Sequence, residues 1–315
     1  MPSNIVELLK GSKVEIIYPA TVDGIIAAAL AARVAGDPED ALMSPYVPGT
    51  TPPRPRGEGK TVVAVGLEAV RKAIRGSWRV IAVLKRGEEA SQGFASASDG
   101  FTYASSLHKA LAGMGHPVLA AASLVSAVWS LARVVEEYDV FMKEAGMDPE
   151  EDYWVPETVA VNLLSIVESC RSEGLRWYPR LMAMNTVEPV KAAFEDALLA
   201  TLRAQADYES RILAEEALER ALEPCEGVKA VGLEADWNLG VSIARILYEE
   251  AVKEGYTFVL AFTSRCNSSR YVVVGGSLKR GSLQWKPENG YYLEAGGRVW
   301  WLGYVRGVED PVSYT

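Results

Sequence analysis

"IIYPATVDGIIAAALAARVAG", residues 16–36, holds the pattern that decides the fold. A β-branched and aromatic run ends at Pro19. A short turn then carries Thr21 and the pair Asp23-Gly24, and an Ala- and Ile-rich segment follows at helical spacing. Strand, tight turn and apolar helix are the opening of a parallel α/β unit, and Asp23 stands where it can cap the helix it enters. The turn carries one carboxylate only.

Working outward, "KVEIIYP" (13–19) is the strand and "DGIIAAALAARVA" (23–35) the helix. "SPYVPGTTPPRPRGEGK" (44–60) is rich in Pro and Gly and reads as an exposed loop. "TVVAVGL" (61–67) and "WRVIAVL" (78–84) are continuous apolar runs of strand length with a short helix between them, the signature of a parallel sheet covered on both faces. Helices are expected over 101–115, 117–135 and 157–173, with a solvated acidic insert over 136–152 between the last two. Residues 187–222 read as one long amphipathic helix that stops at Pro224 and Gly227. Beyond it lie a strand (228–234), a helix (238–255), two strands (256–264 and 269–276) and a hairpin turning at Gly296-Gly297. The expectation is an α/β protein: residues 1–186 as a parallel-sheet domain, 187–224 as a connecting helix, and 225–315 as a smaller α/β domain.

Composition narrows the chemistry. With 315 residues the chain can bury one large or two ordinary cores. There are only two histidines, His108 and His116, so sites built on several imidazoles have almost nothing to draw on. His108 reads as a surface or core residue of a helix, and His116 as a helix-end residue facing free carbonyls. The three cysteines, Cys170, Cys225 and Cys266, form no CxxC pair; the odd count argues against a disulfide framework, and Cys170 and Cys266 read as small buried hydrophobes. A net charge of −9 opposes gripping duplex DNA with the whole surface but leaves room for a local basic groove. No basic leader precedes an apolar stretch, and the apolar run 117–135 is broken by Ser and Arg, so a cytoplasmic protein without a membrane span is expected. Asn and Gln are scarce beside Arg and Glu, which suits a thermophile.

The order strand, "VDG", apolar helix, two buried strands, then "LAAASLVSAVWSLA" resembles the DHH phosphoesterase superfamily, and RecJ-like single-strand nucleases in particular. In that family the first turn reads D-x-D-V-D-G; here Asp23 and Gly24 match while Pro19 and Thr21 replace acids. Val65 stands at the second motif's acid, Leu84, Lys85 and Arg86 at the Asp-His-His, and Ala127 at the fourth motif's acid. The C-terminal region resembles the DHH-associated domain through Trp237, Gly240, Val241, Ala244, Leu247, Ser269, Arg270, Gly275 and Gly276, with Ser277 at the expected His.

The resemblance implies a scaffold whose two-metal site is gone: no catalytic residue, no metal, no cofactor, and Asp23-Gly24 as the remnant of the motif, either a cap or a leftover ligand. It implies weak phosphate or single-strand contact at Ser269, Arg270, Gly275 and Gly276; beside them, and read from the residues themselves, Lys279 and Arg280 add positive charge and Trp285 or Trp300 offers a ring to stack on bases. It further implies a non-catalytic replication subunit of the archaeal kind that bridges GINS and the MCM helicase. The alternatives are an active metal-dependent single-strand nuclease or small-nucleotide phosphoesterase, and an unrelated α/β protein holding a nucleotide at Asp23-Gly24.

Overall fold

The computed structural model describes residues 5–56, 60–76, 78–89, 94–184, 188–278 and 290–305. The chain divides into two compact units: 1–126 with 135–167 and 171–200, and 127–134 with 168–170 and 201–315.

The first unit opens with α1 (Ile5–Leu9), β1 (Val14–Pro19), α2 (Val22–Ala35), β2 (Leu42–Tyr46), β3 (Thr61–Val65), α3 (Leu67–Ala73), β4 (Arg79–Val83), β5 (Ala95–Ala97) and α4 (Tyr103–Ala110). The strands form a five-stranded sheet in the order β2-β1-β3-β4-β5, every pairing parallel. Strand side chains alternate between the faces. Ile17, Val62, Ala64, Val80 and Ala82 pack with Ala69, Val70 and Ala73 of α3, while Ile16, Val63 and Ile81 are fully buried on the other side. Both faces are therefore apolar, as the continuous runs of the sequence required.

Further along are α5 (Pro117–Val128), a 3-10 segment (Trp129–Val134), α6 (Glu136–Glu144), α7 (Trp154–Glu168), α8 (Ser172–Ala183), α9 (Pro189–Glu195) and α10 (Ala197–Glu219). The stretch Pro117–Val134 is long and apolar enough to cross a membrane by length and composition, yet 72% of it is buried within the protein, and its α-helix ends where Trp129 takes φ 51°. It is a core helix. The acidic insert is not merely solvated: α6 buries Tyr138, Phe141 and Met142. The expected helix 187–222 is broken at Asp196, whose Oδ1 accepts the N–H groups of Leu198 and Leu199 and so starts α10 afresh. The Pro/Gly-rich loop is less exposed than its composition implied, because β2 claims its first residues and Pro52 and Pro55 are buried.

The second unit continues with β6 (Leu222–Cys225), β7 (Val228–Ala235), α11 (Gly240–Glu254), β8 (Thr257–Ser264), β9 (Arg270–Ser277), β10 (Gly290–Ala295) and β11 (Arg298–Tyr304). They make a six-stranded sheet in the order β10-β11-β9-β8-β7-β6, with β7 and β8 parallel and its other pairings antiparallel. The closing hairpin turns at Gly296-Gly297, both at positive φ. Alternate β8 residues Phe258, Leu260 and Phe262 are buried, and Gly240 at the start of α11 lies against Phe262 and Tyr271, where a Cβ would meet the rings at 2.5–2.8 Å.

Cys170 and Cys266 form a disulfide within this unit, with Cα atoms 6.2 Å apart. Cys266 is exposed, so these two are a covalent clasp and not small apolar core residues. Parity misled the sequence reading: the leftover cysteine is Cys225, free on an exposed strand.

Candidate functional site

In an open parallel sheet, ligands bind beyond the carboxyl ends of the strands, where strand order reverses. Here that point lies between β1 and β3, and the Thr21–Gly24 turn and Gly66 stand on it. Gly24 is required by close approach: a Cβ there would sit 2.1 Å from the Pro19 carbonyl oxygen. Thr21, and not Asp23, is the N-cap of α2; its Oγ1 accepts the Gly24 N–H at 3.1 Å.

Asp23 is buried and turned toward a different helix. Its Oδ2 accepts the Tyr103 N–H at 3.0 Å and its Oδ1 the Ala104 N–H at 2.8 Å. Thr102 and Ser105 close a capping box on the same helix, so the first turn of α4 has its N–H donors met by Asp23 and Thr102 together. A carboxylate at a helix N-terminus is also favoured by the helix dipole.

The residues that follow β4 are cationic and occupied. Lys85 is largely buried, with Nζ 3.8 Å from Glu88 Oε1 and 5.3 Å from the centroid of the Tyr103 ring. Glu88 also accepts the Lys85 N–H at 3.1 Å and the Tyr103 hydroxyl at 3.3 Å. Burial pushes the Lys85 ammonium down, while Glu88 and then Asp23 pull it back up. Burial, reinforced by Glu88, Tyr46 and Asp23, raises Tyr103 well above the ordinary phenol range and keeps it a donor. Tyr46 and Tyr103 both close on Gly66, where a Cβ would lie 3.1 and 3.2 Å from their hydroxyls. Arg86 is drawn to Glu137 at 2.6 Å, a carboxylate that also takes Lys109 and the Phe101 N–H.

Sequence reasoning missed Glu88, Glu137, Tyr46 and Tyr103. The only local signal was Glu88, three residues after Lys85; the others are brought in by the fold. The two histidines have other partners: buried His108 pairs with Glu144 at 3.0 Å, and His116, which precedes α5 instead of ending a helix, pairs with Glu188 at 3.2 Å. Burial, more than any neighbouring charge, holds His116 below the usual imidazole range.

In the second unit Ser269 and Arg270 are adjacent at the start of β9. Ser269 is buried and its hydroxyl is bonded to Asn267; Arg270 is exposed. Arg270 lines a groove of about 330 Å³ together with Gly232, Glu234, Ala261, Thr263 and Val272. Gly275 and Gly276 do not form a turn beside Arg270. They end the same strand, about 17 Å away at the usual strand rise, paired to Phe258 and Thr257 on one side and Trp300 and Val299 on the other. Their role is close packing, since a Cβ on Gly275 would be 2.8 Å from Phe258. Trp300 is buried and cannot stack on a base. Arg265 is held by Glu234 and Asp236. Lys279, Arg280 and Trp285 fall outside the described residues.

No protein-family model matches the sequence, and no curated protein matches it. Among solved structures, RecJ from Thermus thermophilus in complex with Mn²⁺ is similar with a TM-score of 0.50 and 11% identity over 96% of this chain. The fold is of the RecJ type. The chain spans about half of that RecJ, 52% of its length. A manganese-bound RecJ exonuclease (TM-score 0.45, 12% identity, 98% of this chain and 91% of that one) and CDC45 from Entamoeba histolytica (0.43, 9%, 86% and 86%) are also similar.

A RecJ-like fold implies Mn²⁺, and the residues at these strand ends do not fit it. Such an ion takes several oxygen ligands, and a pair of ions needs several carboxylates or imidazoles. Both Asp23 oxygens already accept backbone N–H groups, and a lysine ammonium lies beside Glu88. Among the described residues no three His, Cys, Asp or Glu side chains gather as a metal site.

Proposed function

We propose that this chain is a non-catalytic RecJ-like accessory subunit of a replicative helicase, bridging GINS and an MCM-type ring and touching the displaced single strand weakly. The observation that supports it most is the reassignment of Asp23 from ligand to cap of α4, with Lys85 where the family's Asp-His-His would be. A chain that retains the scaffold but has given its carboxylate to structure is suited to assembly. Large exposed side chains fit that role: Trp154 and Trp177 are more than half exposed on one unit, and Tyr208 and Ile212 stand out on α10.

The test has two arms. A manganese-dependent assay on short single strands is expected to show no turnover above a metal-only blank. Purification of GINS from the native host is expected to carry this chain along. Turnover abolished by Asp23→Ala, or GINS free of this chain, would overturn the reading.

Within this reading the single-strand contact falls to Arg270, a lining residue of the groove in the second unit. Arg270→Ala is expected to weaken binding of an oligothymidylate by about tenfold, the worth of one charge-assisted hydrogen bond. The slope of log affinity against log salt should fall by about 0.7, as for one lost phosphate contact. A fluorescence anisotropy titration at several salt concentrations reads both; an unchanged slope removes Arg270 from the contact.

A further inference from the structure

We propose that the Lys85 ammonium is the built-in cation at the carboxyl ends of the parallel strands, supplying the counter-charge to Asp23 and Glu88 that a divalent ion would otherwise supply. The inference rests on the non-catalytic reading and deepens it, from a site that lacks ligands to a site already filled.

Three observations converge. The Lys85 side chain is 13% exposed and its partner Glu88 23%, so the pair is shielded from bulk water. Glu88 is held by three groups, the Lys85 ammonium, the Lys85 N–H and the Tyr103 hydroxyl. Asp23, the other carboxylate acting on Lys85, is fixed on the N-terminus of α4. An ammonium on a four-carbon stem is a compact point charge with three donors, and its covalent tether prevents it from leaving. The Tyr103 ring, 5.3 Å from the Lys85 ammonium, is crowded with Tyr46 over Gly66. Burial alone would favour a neutral amine here, and the two carboxylates oppose that.

Lys85→Met keeps most of the volume and removes the charge. It leaves two shielded carboxylates facing a vacated cation position, an arrangement that is costly until a cation enters. The wild-type chain is expected to give no binding heat when titrated with MnCl₂ and to unfold at the same temperature in EDTA and in MnCl₂. Lys85→Met is expected to unfold at least about 5 °C lower in EDTA and to recover part of that loss in MnCl₂. Lys85→Arg, which keeps the charge, should stay nearer the wild type. The proposal is overturned if the wild type binds Mn²⁺ at micromolar concentration. It is equally overturned if the Met variant is as stable as the wild type in EDTA, or is unstable but indifferent to MnCl₂. Should the Met variant fail to fold, the wild-type titration still decides, together with reductive methylation, in which Lys85 should react far more slowly in the native than in the unfolded chain. A wild type that ignores Mn²⁺ yet cleaves DNA would sink the non-catalytic reading and leave this one standing.

Discussion

Between pH 5 and pH 8 the second unit is expected to lose about 4 kcal/mol of stability, and Glu168→Gln to abolish the loss. Glu168 ends α7, is 1% exposed, and accepts the Ser242 N–H at 3.0 Å and the Ser242 hydroxyl at 2.8 Å. Ser242 lies in the first turn of α11, whose N-cap Leu239 has no side-chain acceptor to offer. Glu168 is thus a cap delivered from another element. Burial raises its carboxyl from 4.5 to about 8, against the pull of the Ser242 donors and of Arg245, with Asp207 reinforcing the rise.

The sign follows from proton binding. Below pH 4.5 the folded and unfolded chains both hold the Glu168 proton. Above it the unfolded chain releases the proton while the folded chain retains it until about 8, so the unfolded state gains at ~1.4 kcal/mol per pH unit. Stability from this group is greatest at acid pH and falls as pH rises through that window. Glutamine keeps a neutral acceptor for the Ser242 N–H and cannot ionise. The wild-type curve should therefore slope and the variant's should be flat, with the variant the more stable at pH 8. Urea unfolding across this range, with hydrogen exchange of the α11 amides to localise the change, measures the difference. Parallel curves for the two proteins would refute it.

Cleaving the Cys170–Cys266 disulfide is expected to cost about 4 kcal/mol, because it closes a loop of 96 residues and long loops lose the most entropy on closure. The bond joins the end of α7, beside Glu168, to the turn between β8 and β9 that leads into Ser269 and Arg270. Denatured but unreduced protein should show one reactive thiol, that of Cys225. Reduction, or Cys266→Ser, should lower the unfolding midpoint of the second unit. Three reactive thiols in denatured, unreduced protein would show that the bond does not form.

Much of the fold could be read from local pattern. The apolar runs of β1, β3 and β4, the small-residue helix α2, the α11 helix and the Gly296-Gly297 hairpin were legible because each is encoded within a few residues of itself. Short β2 and β5 were not, since neither carries alternation long enough to register; they exist because a parallel neighbour supplies their hydrogen bonds. The break at Asp196 was hidden because apolar spacing continues across it, while the capping that causes it depends on one side-chain rotamer.

The candidate site divides along the same line. That Pro19, Thr21, Val65, Leu84, Lys85 and Arg86 are neither acids nor histidines, where the resemblance to the DHH phosphoesterases expects such residues, is plain in the sequence and needed no coordinates. What Asp23 does could not be read there: its partners, Tyr103 and Ala104, lie some eighty residues away. Nor could the pairing of Cys170 with Cys266, the delivery of Glu168 to α11, or the separation of Arg270 from Gly275-Gly276 along one strand. Local sequence determines periodicity, breakers and the residue types available at each turn, because these act through the backbone over one or two turns. Which buried carboxylate meets which helix end, and which cation meets it there, is decided only when the chain packs, because desolvated charge must find its partner in space and not in sequence.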